Sequence, residues 1–253
     1  MTPNPIRKVL SILRTCRVKF LLMGGQACVF YGAAEFSRDT DIVIAMSPTN
    51  LRRLRAALRR LRAEPIAVPP LSTRWLRKGH AVHFRCHLAE ADGLRLDIMA
   101  TLRGVAPFAT LWRRRTTIAT KNGERYYLLS ANELVTAKNT QRDNDWPMIR
   151  RLVEAHYQQF QHAPSPERIR FWLLESRTPE RLIALAADYP RQTAQASRKR
   201  ALLRLARRGQ EDNLTKALQE EEFLERARDA AYWRPLRREL ETLRRQRLIQ
   251  RKS

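Results

Sequence analysis

The chain has 253 residues, of which 49 are lysine or arginine and 25 are aspartate or glutamate, so its formal net charge is +24 at pH 7. This length allows one large domain, or a catalytic domain with an appendage. The charge indicates an anionic partner, and since no apolar run could span a bilayer, nucleic acid is favoured over a membrane. The alternative is a solvated basic surface without a dedicated ligand.

The N-terminal segment has no signal-peptide core, which favours a cytoplasmic protein. The chain contains three cysteines, Cys16, Cys28 and Cys86. They are scattered without metal-site spacing and lie in largely apolar surroundings. We therefore expect reduced thiols in the core.

The chain begins with a predicted helix, Ile6 to Leu13, followed by a short core strand, Phe20 to Met23. Gly24-Gly25 ends that strand and permits a backbone conformation that a side chain would obstruct. A second helix is predicted over Gln26 to Tyr31. The free N–H groups of its first turn would face whatever approaches the glycines, as in helix starts that bind phosphate.

The next strand is predicted over Ser37 to Ile44, and it places two carboxylates on one face. Asp39 and Asp41 share that face because side chains alternate along a strand, while Thr40 points to the other face with the isoleucines. Two adjacent carboxylates repel each other unless a cation lies between them, and oxygen ligands of this kind suit Mg2+.

Ser47-Pro48 begins a helix with a leucine stripe and many arginines. The stripe would cover the sheet, and the arginines form either a solvated face or an RNA-binding surface. After a proline-rich loop, Glu64 to Ser72, and a short helical piece around Trp75, the chain forms a strand, Ala81 to Leu88. Strict alternation along that strand argues against a zinc site built from the neighbouring ligand types His80, His83, Cys86 and His87.

Asp92-Gly93 predicts a hairpin turn, and the chain returns as a strand, Leu94 to Met99, in which Asp97 points away from the apolar face. A short helix is predicted over Val105 to Arg115. Two strands, Thr116 to Thr120 and Arg125 to Leu129, follow around the turn Lys121-Asn122-Gly123, and Ser130 to Glu133 form a capping box.

Beyond residue 160 the pattern predicts helices separated from the preceding part by a linker. They are expected at residues 165–175, 178–188, 192–208, 212–230 and 234–250. Their basic faces are compatible with an RNA clamp, a partner-binding bundle or a solvated appendage, and the sequence does not choose among these.

The motif Met23–Gly25 followed after about a dozen residues by Asp39–Asp41 resembles the nucleotidyltransferase superfamily of the DNA polymerase beta type. Members carry a hydrophobic residue, two small residues, Asp-hydrophobic-Asp and a third carboxylate on another strand. Asp97 matches that third carboxylate. Here Thr40 stands where the family usually has an aliphatic residue.

Residues 138–149 are similar to the AbiEii and MenA toxin-like branch of this superfamily. The resemblance implies that Lys138 contacts nucleotide phosphate, that Asp145 helps to complete the site, and that Ser37 matches the branch's serine or threonine. Lys138 could equally be a surface lysine, and Asp145 could cap the helix that begins at Trp146. Glu35 departs from the pattern, because an arginine is frequent there.

Together these features predict an α/β (α+β) fold. A small mixed sheet flanked by helices would form a nucleotidyltransferase-like catalytic domain over residues 1–160, followed by a basic helical region over 161–253.

The resemblance implies a Mg2+-dependent enzyme that moves a nucleoside monophosphate from an NTP to an acceptor hydroxyl. Asp39, Asp41 and Asp97 would be the catalytic and metal-binding residues, and Gly24, Gly25, Ser37, Lys138 and Asp145 would bind the nucleotide. The expected acceptor is RNA, tRNA in particular, and the protein would act as a toxin with an antitoxin partner. Alternatives are an acceptor such as an aminoglycoside or a protein hydroxyl, or a catalytically silent RNA-binding or regulatory protein.

Overall fold

A computed structural model describes residues 4–120 and 123–250 of the chain, except the side chain of residue 250. Within these residues the chain forms one seven-stranded mixed sheet and twelve α-helices, which confirms the predicted α/β class with a helical C-terminal region. Of the predicted turn at residues 121–123, Lys121 and Asn122 lie outside the described residues.

The sheet has the order β3-β4-β5-β2-β1-β7-β6. Its strands are β1 Phe20–Met23, β2 Asp39–Ile44, β3 Glu64–Pro65, β4 Val82–Arg85, β5 Arg95–Met99, β6 Thr116–Ala119 and β7 Arg125–Leu128. The central strand β2 runs antiparallel to β1 and parallel to β5. The short strand β3 lies inside the segment that the sequence predicts as a loop, and it pairs with β4.

The helices are α1 Asn4–Thr15, α2 Gly24–Phe30, α3 Pro48–Arg60, α4 Thr73–Lys78, α5 Phe108–Arg114, α6 Ala131–Lys138, α7 Asp145–Phe160, α8 Pro166–Glu175, α9 Pro179–Asp188, α10 Pro190–Ala196, α11 Leu203–Ala206 and α12 Glu211–Gln250. Among these, no helix combines the length and the apolar character needed to cross a membrane.

Buried apolar side chains and the hydrogen bonds of one buried asparagine stabilise the central strands. The side chains of Phe20, Leu21 and Leu22 in β1 and of the C-terminal half of β2 are buried, as expected for inner strands. Asn50 on α3 is also buried, and its amide nitrogen donates to the carbonyls of Lys19 and Ala45 at 3.0 and 2.8 Å. Its carbonyl accepts from the Lys19 N–H at 2.6 Å, so one side chain joins α3 to the ends of β1 and β2.

The chain divides into two compact units. The first comprises residues Met1–Phe30, Ala34–Ala137 and Tyr232–Ser253, and the second comprises Tyr31–Ala33 and Lys138–Ala231. The sheet belongs to the first unit, and helices α7 to α11 belong to the second. This division differs from the domain boundary predicted at residue 160, and the extent of the catalytic domain stays a prediction.

Two helix predictions in the C-terminal region are wrong. The segment 192–208 forms two short helices, because Arg200 turns into the interior and donates to the carbonyls of Leu173 and Ser176. The break predicted before residue 234 is absent, since α12 continues through Pro235. Beyond that proline, Glu239 pairs with Lys78 and with the buried His80, so tertiary contacts hold a helix that the proline alone would interrupt.

His156 on α7 occupies an aromatic cluster within the second unit. Its ring centroid lies 4.8 Å from that of Phe160 and 4.8 Å from that of Phe171, and its Nδ1 accepts a hydrogen bond from the indole N–H of Trp172 at 2.9 Å. Burial, with a smaller contribution from Arg168, lowers the pKa of His156 to about 4. The folded protein therefore keeps this imidazole neutral.

Because the pKa of His156 is lowered on folding, its neutral form contributes stability above about pH 6.5 that is lost as the pH falls towards 4. We expect the free energy of unfolding to fall between pH 7 and pH 5, and to fall less in His156→Gln, as measured by urea denaturation of the full chain. His162→Gln is the control, since His162 is exposed. An equal pH dependence in His156→Gln and the parent would contradict this account.

Candidate metal centre

Three aspartates from two adjacent inner strands converge on one face of the sheet. Asp39 and Asp41 lie on β2, Asp97 lies on β5, and the parallel register places Asp41 directly beside Asp97. One oxygen from each carboxylate lies within 4.8 Å of the others. Within residues 4–120 and 123–250, this is the group of three acidic, histidine or cysteine side chains that could hold a metal ion.

Such a group needs positive charge nearby. At an effective dielectric constant of about 20, two carboxylates at this separation repel each other by roughly 3 kcal/mol. The guanidinium of Arg95 lessens this repulsion, because Arg95 Nε donates to Asp97 Oδ1 at 2.8 Å, and His83 Nδ1 lies 2.8 Å from the same oxygen. The three aspartates also act on Arg95, whose pKa is raised by its hydrogen bond to Asp97 and by the charges of Asp97, Asp39 and Asp41.

The pKa of Asp97 records a balance between burial and these partners. Asp97 is 9% exposed, and burial alone would raise its pKa. The hydrogen bonds from His83 and Arg95 outweigh that effect and hold the pKa below its usual value. Asp97 is therefore an ionised carboxylate at neutral pH.

Sequence reasoning missed both of these partners. Arg95 lies two residues before Asp97 on the same strand, so the alternation that orients Asp97 also places Arg95 on its face. His83 faces Asp97 only because β4 and β5 pair in the register His83↔Asp97. Alternation could have identified the arginine, but the histidine required the register.

The donor set fits a hard divalent cation. Three carboxylates supply oxygen ligands, which Mg2+ and Mn2+ prefer, and their combined charge favours a cation over a neutral ligand. Arg95 and His83 both contact the same oxygen of Asp97, Oδ1, so the second oxygen of that carboxylate offers a further donor atom. Asp39, Asp41 and Asp97 would hold the ion.

Gly24 is needed for a reason that the sequence did not reveal. Its φ is +63°, and a Cβ at this position would lie 1.9 Å from Asp41 Oδ2. A Cβ on Gly25 would lie 2.8 Å from Ser37 Oγ. The glycine pair thus gives Asp41 and Ser37 the space that they occupy, in addition to any space that it leaves for a ligand.

Ser37 positions the first carboxylate of the group. Its hydroxyl lies 3.0 Å from the Asp39 carbonyl oxygen and 3.1 Å from Asp39 Oδ1, and it donates to these acceptors. The expectation that Ser37 contacts phosphate stays a prediction. In this structure the hydroxyl restrains the backbone and the side chain of Asp39.

Lys138 and Asp145, the other residues taken from the resemblance, contact each other in the second unit. Lys138 Nζ lies 2.8 Å from Asp145 Oδ1, and Thr140 Oγ1 donates to Asp145 Oδ2 at 2.6 Å. Helix α7 begins at Asp145 with Asn144 at its N-cap, so the suggestion that Asp145 caps this helix is wrong. Its carboxylate instead joins Lys138 to the loop before α7.

The histidines and cysteines near β4 have separate surroundings. His80 is buried and contacts Glu239, whereas His83 contacts Asp97. All three cysteines are free thiols, of which Cys28 and Cys86 are buried and Cys16 is partly exposed. Burial raises the pKa of the Cys86 thiol to about 11, so this side chain behaves as an apolar core residue.

No protein-family model and no curated protein matches this chain. The case for a function therefore rests on the geometry of the acidic group and on the motif resemblance.

The clash at Gly24 provides a test of the metal centre. We expect the parent protein to bind Mn2+ in calorimetric titration and Gly24→Ala to bind it about 10–100-fold more weakly, because the added Cβ displaces Asp41. Gly32→Ala is a matched control, since Gly32 also has a positive φ, +72°, but has nothing within 4 Å of the added atom. Equal Mn2+ affinity of the two variants would show that Asp41 is not a ligand.

Proposed function

We propose that this chain is a divalent-cation-dependent nucleotidyltransferase, which moves a nucleoside monophosphate from an NTP to an acceptor hydroxyl. The observation that carries the proposal is the convergence of Asp39, Asp41 and Asp97 beside the glycine turn. The same three carboxylates and the same turn define the motif of the superfamily that the sequence resembles. A bound Mg2+ would neutralise charge on the triphosphate and on the departing pyrophosphate.

In the proposed reaction, the acceptor oxygen forms a bond to the α-phosphorus while the bond from that phosphorus to the oxygen bridging to the β-phosphate breaks. Pyrophosphate leaves, and the proton of the acceptor hydroxyl passes to a base. The chain contributes position and charge: Ser37 restrains Asp39, and Gly24 leaves room for Asp41. Arg95 places a guanidinium on the same face of the sheet, where phosphate oxygens would be attracted.

The surroundings of Asp97 favour a ligand role over a role as general base. A general base works best when its pKa lies near the working pH. The pKa of Asp97 is instead held below its usual value by His83 and Arg95, despite burial. Asp97 is therefore assigned to cation binding.

Lys138 and Asp145 keep the supporting roles that the resemblance implies. The ammonium of Lys138 already has a carboxylate partner at 2.8 Å, so contact with a phosphate would require Lys138 to share or leave Asp145. We assign RNA as the acceptor class because the net charge of +24 attracts a polyanion and phosphate contacts supply affinity without sequence information.

The proposal is tested by incubating the protein with Mg2+, total RNA and each of the four NTPs labelled at the α-phosphate. Label is expected in RNA with at least one NTP, and Asp41→Ala is expected to reduce it by at least about 100-fold because a cation ligand is lost. Asp92→Ala, which removes an exposed acidic side chain from a turn near β5, should label RNA as well as the parent.

Two outcomes of that assay would reject the proposal. One is undiminished labelling by Asp41→Ala. The other is the absence of label from RNA and from the protein itself with all four NTPs.

A catalytically silent RNA-binding protein is the second candidate, and one observation favours it. The guanidinium of Arg95 already pairs with Asp97, so the acidic group is partly neutralised by the chain itself. A silent protein should gain thermal stability with RNA but none with Mg2+ and NTP, whereas an enzyme should gain stability with the nucleotide.

A further inference from the structure

A strongly basic segment of the second unit has no role in the metal centre. Residues 189–210 include seven lysines and arginines and no acidic residue. Six of the seven are exposed, and the exception, Arg200, is 6% exposed. A solvated helix face usually intersperses both signs of charge, so this segment differs from an ordinary surface.

Four arginines of this segment line one cavity of about 400 Å³. Arg198 precedes α11, Arg204 lies on it, and Arg207 and Arg208 follow it. The remaining lining residues are Ala194 and Ser197. In the part of the chain that the structure describes, none of the four guanidinium groups has a hydrogen bond or an ion pair.

The buried Arg200 fixes the turn that presents these side chains. Its Nε and one terminal nitrogen lie 3.0 and 2.6 Å from the two carboxylate oxygens of Glu221, and its other terminal nitrogen donates to the carbonyls of Leu173 and Ser176. Arg177 adds a contact to Glu221 at 3.1 Å. Because both carboxylate oxygens of Glu221 contact Arg200, and one also contacts Arg177, Glu221 does not neutralise the arginines that line the cavity.

Four like charges around one cavity repel one another, and an anion bound among them would reduce that repulsion. Guanidinium groups bind phosphate through two parallel hydrogen bonds, which makes phosphate the best match to this lining. None of the described residues that line the cavity has an aromatic side chain on which a base could stack. The lining is therefore suited to phosphate groups and lacks the means to select a nucleobase.

We propose that Arg198, Arg204, Arg207 and Arg208 form a docking site for the phosphodiester backbone of RNA. A polymer is favoured over a free phosphate or a nucleotide, because four guanidinium groups outnumber the contacts that one phosphate needs and none of the described lining residues recognises a base. The site would hold the acceptor that the proposed function requires. The inference depends on that function only for the identity of the polymer.

The test measures binding of a fluorescein-labelled RNA hairpin to the full chain by anisotropy over a range of salt concentrations, without NTP. Changing all four arginines to glutamine should weaken binding on the order of 100-fold and lower the slope of log K against log salt by about 3. Changing all four to lysine keeps the charge but removes the paired hydrogen bonds, so the salt slope should stay near the parent's and the affinity should fall less than in the glutamine variant. Circular dichroism verifies that both variants are folded.

The matched control changes Arg52, Arg55, Arg59 and Arg60 of α3 to glutamine, which removes the same charge from an exposed helix face. This control should bind RNA within a few-fold of the parent. Equal losses in the control and the cavity variant would overturn the inference, since they would indicate nonspecific attraction. Competition by inorganic phosphate or ATP at concentrations near the protein's would also overturn it, in favour of a small-anion site, as would a preference for anionic lipid vesicles over the hairpin.

The two proposals fail separately. A chain that binds the hairpin through the four arginines but transfers no label would retain the docking site and lose the nucleotidyltransferase. A chain that labels RNA equally well with the cavity arginines changed to glutamine, and binds the hairpin with unchanged affinity, would retain the enzyme and lose the docking site.

Discussion

The candidate site depends on one electrostatic constraint: three carboxylates lie within 4.8 Å of one another on two hydrogen-bonded strands. The backbone register fixes this proximity, so the side chains cannot relieve their repulsion by moving far apart. The guanidinium of Arg95 supplies part of the compensation, and a divalent cation would supply the rest. The glycine turn belongs to the same constraint, because any larger residue at Gly24 would meet Asp41.

The second unit contains an arrangement of the opposite charge, a cluster of arginines. There Arg200 and Arg177 are buried around Glu221, with burial lowering the pKa of Arg200, while the neighbouring arginines face a cavity without an acidic partner. The first arrangement concentrates negative charge, and the cation proposed for it would offset that charge. The second concentrates positive charge, and the phosphate groups proposed for it would do the same there.

Much of the first unit could be predicted from the sequence because local patterns decide it. The run Phe20–Met23, the alternation through Asp39–Ile44 and the Ser47-Pro48 helix start all coincide with observed elements. What failed depended on tertiary contacts: the burial of Arg200 interrupts a predicted helix, and contacts of Glu239 accompany a helix that continues past Pro235. The partnership of His83 with Asp97 required a strand register that no single segment encodes. Thr40 was predicted only in part. Alternation placed it on the buried face, but its hydroxyl has no hydrogen-bond partner among the described residues.

The most direct measurement is the anomalous diffraction of crystals grown with Mn2+ and a non-hydrolysable NTP analogue. The account predicts an anomalous peak at coordination distance from Asp39, Asp41 and Asp97, with the triphosphate beside Gly24 and Gly25. An Mn2+ peak elsewhere, or an analogue bound away from these aspartates, would contradict it.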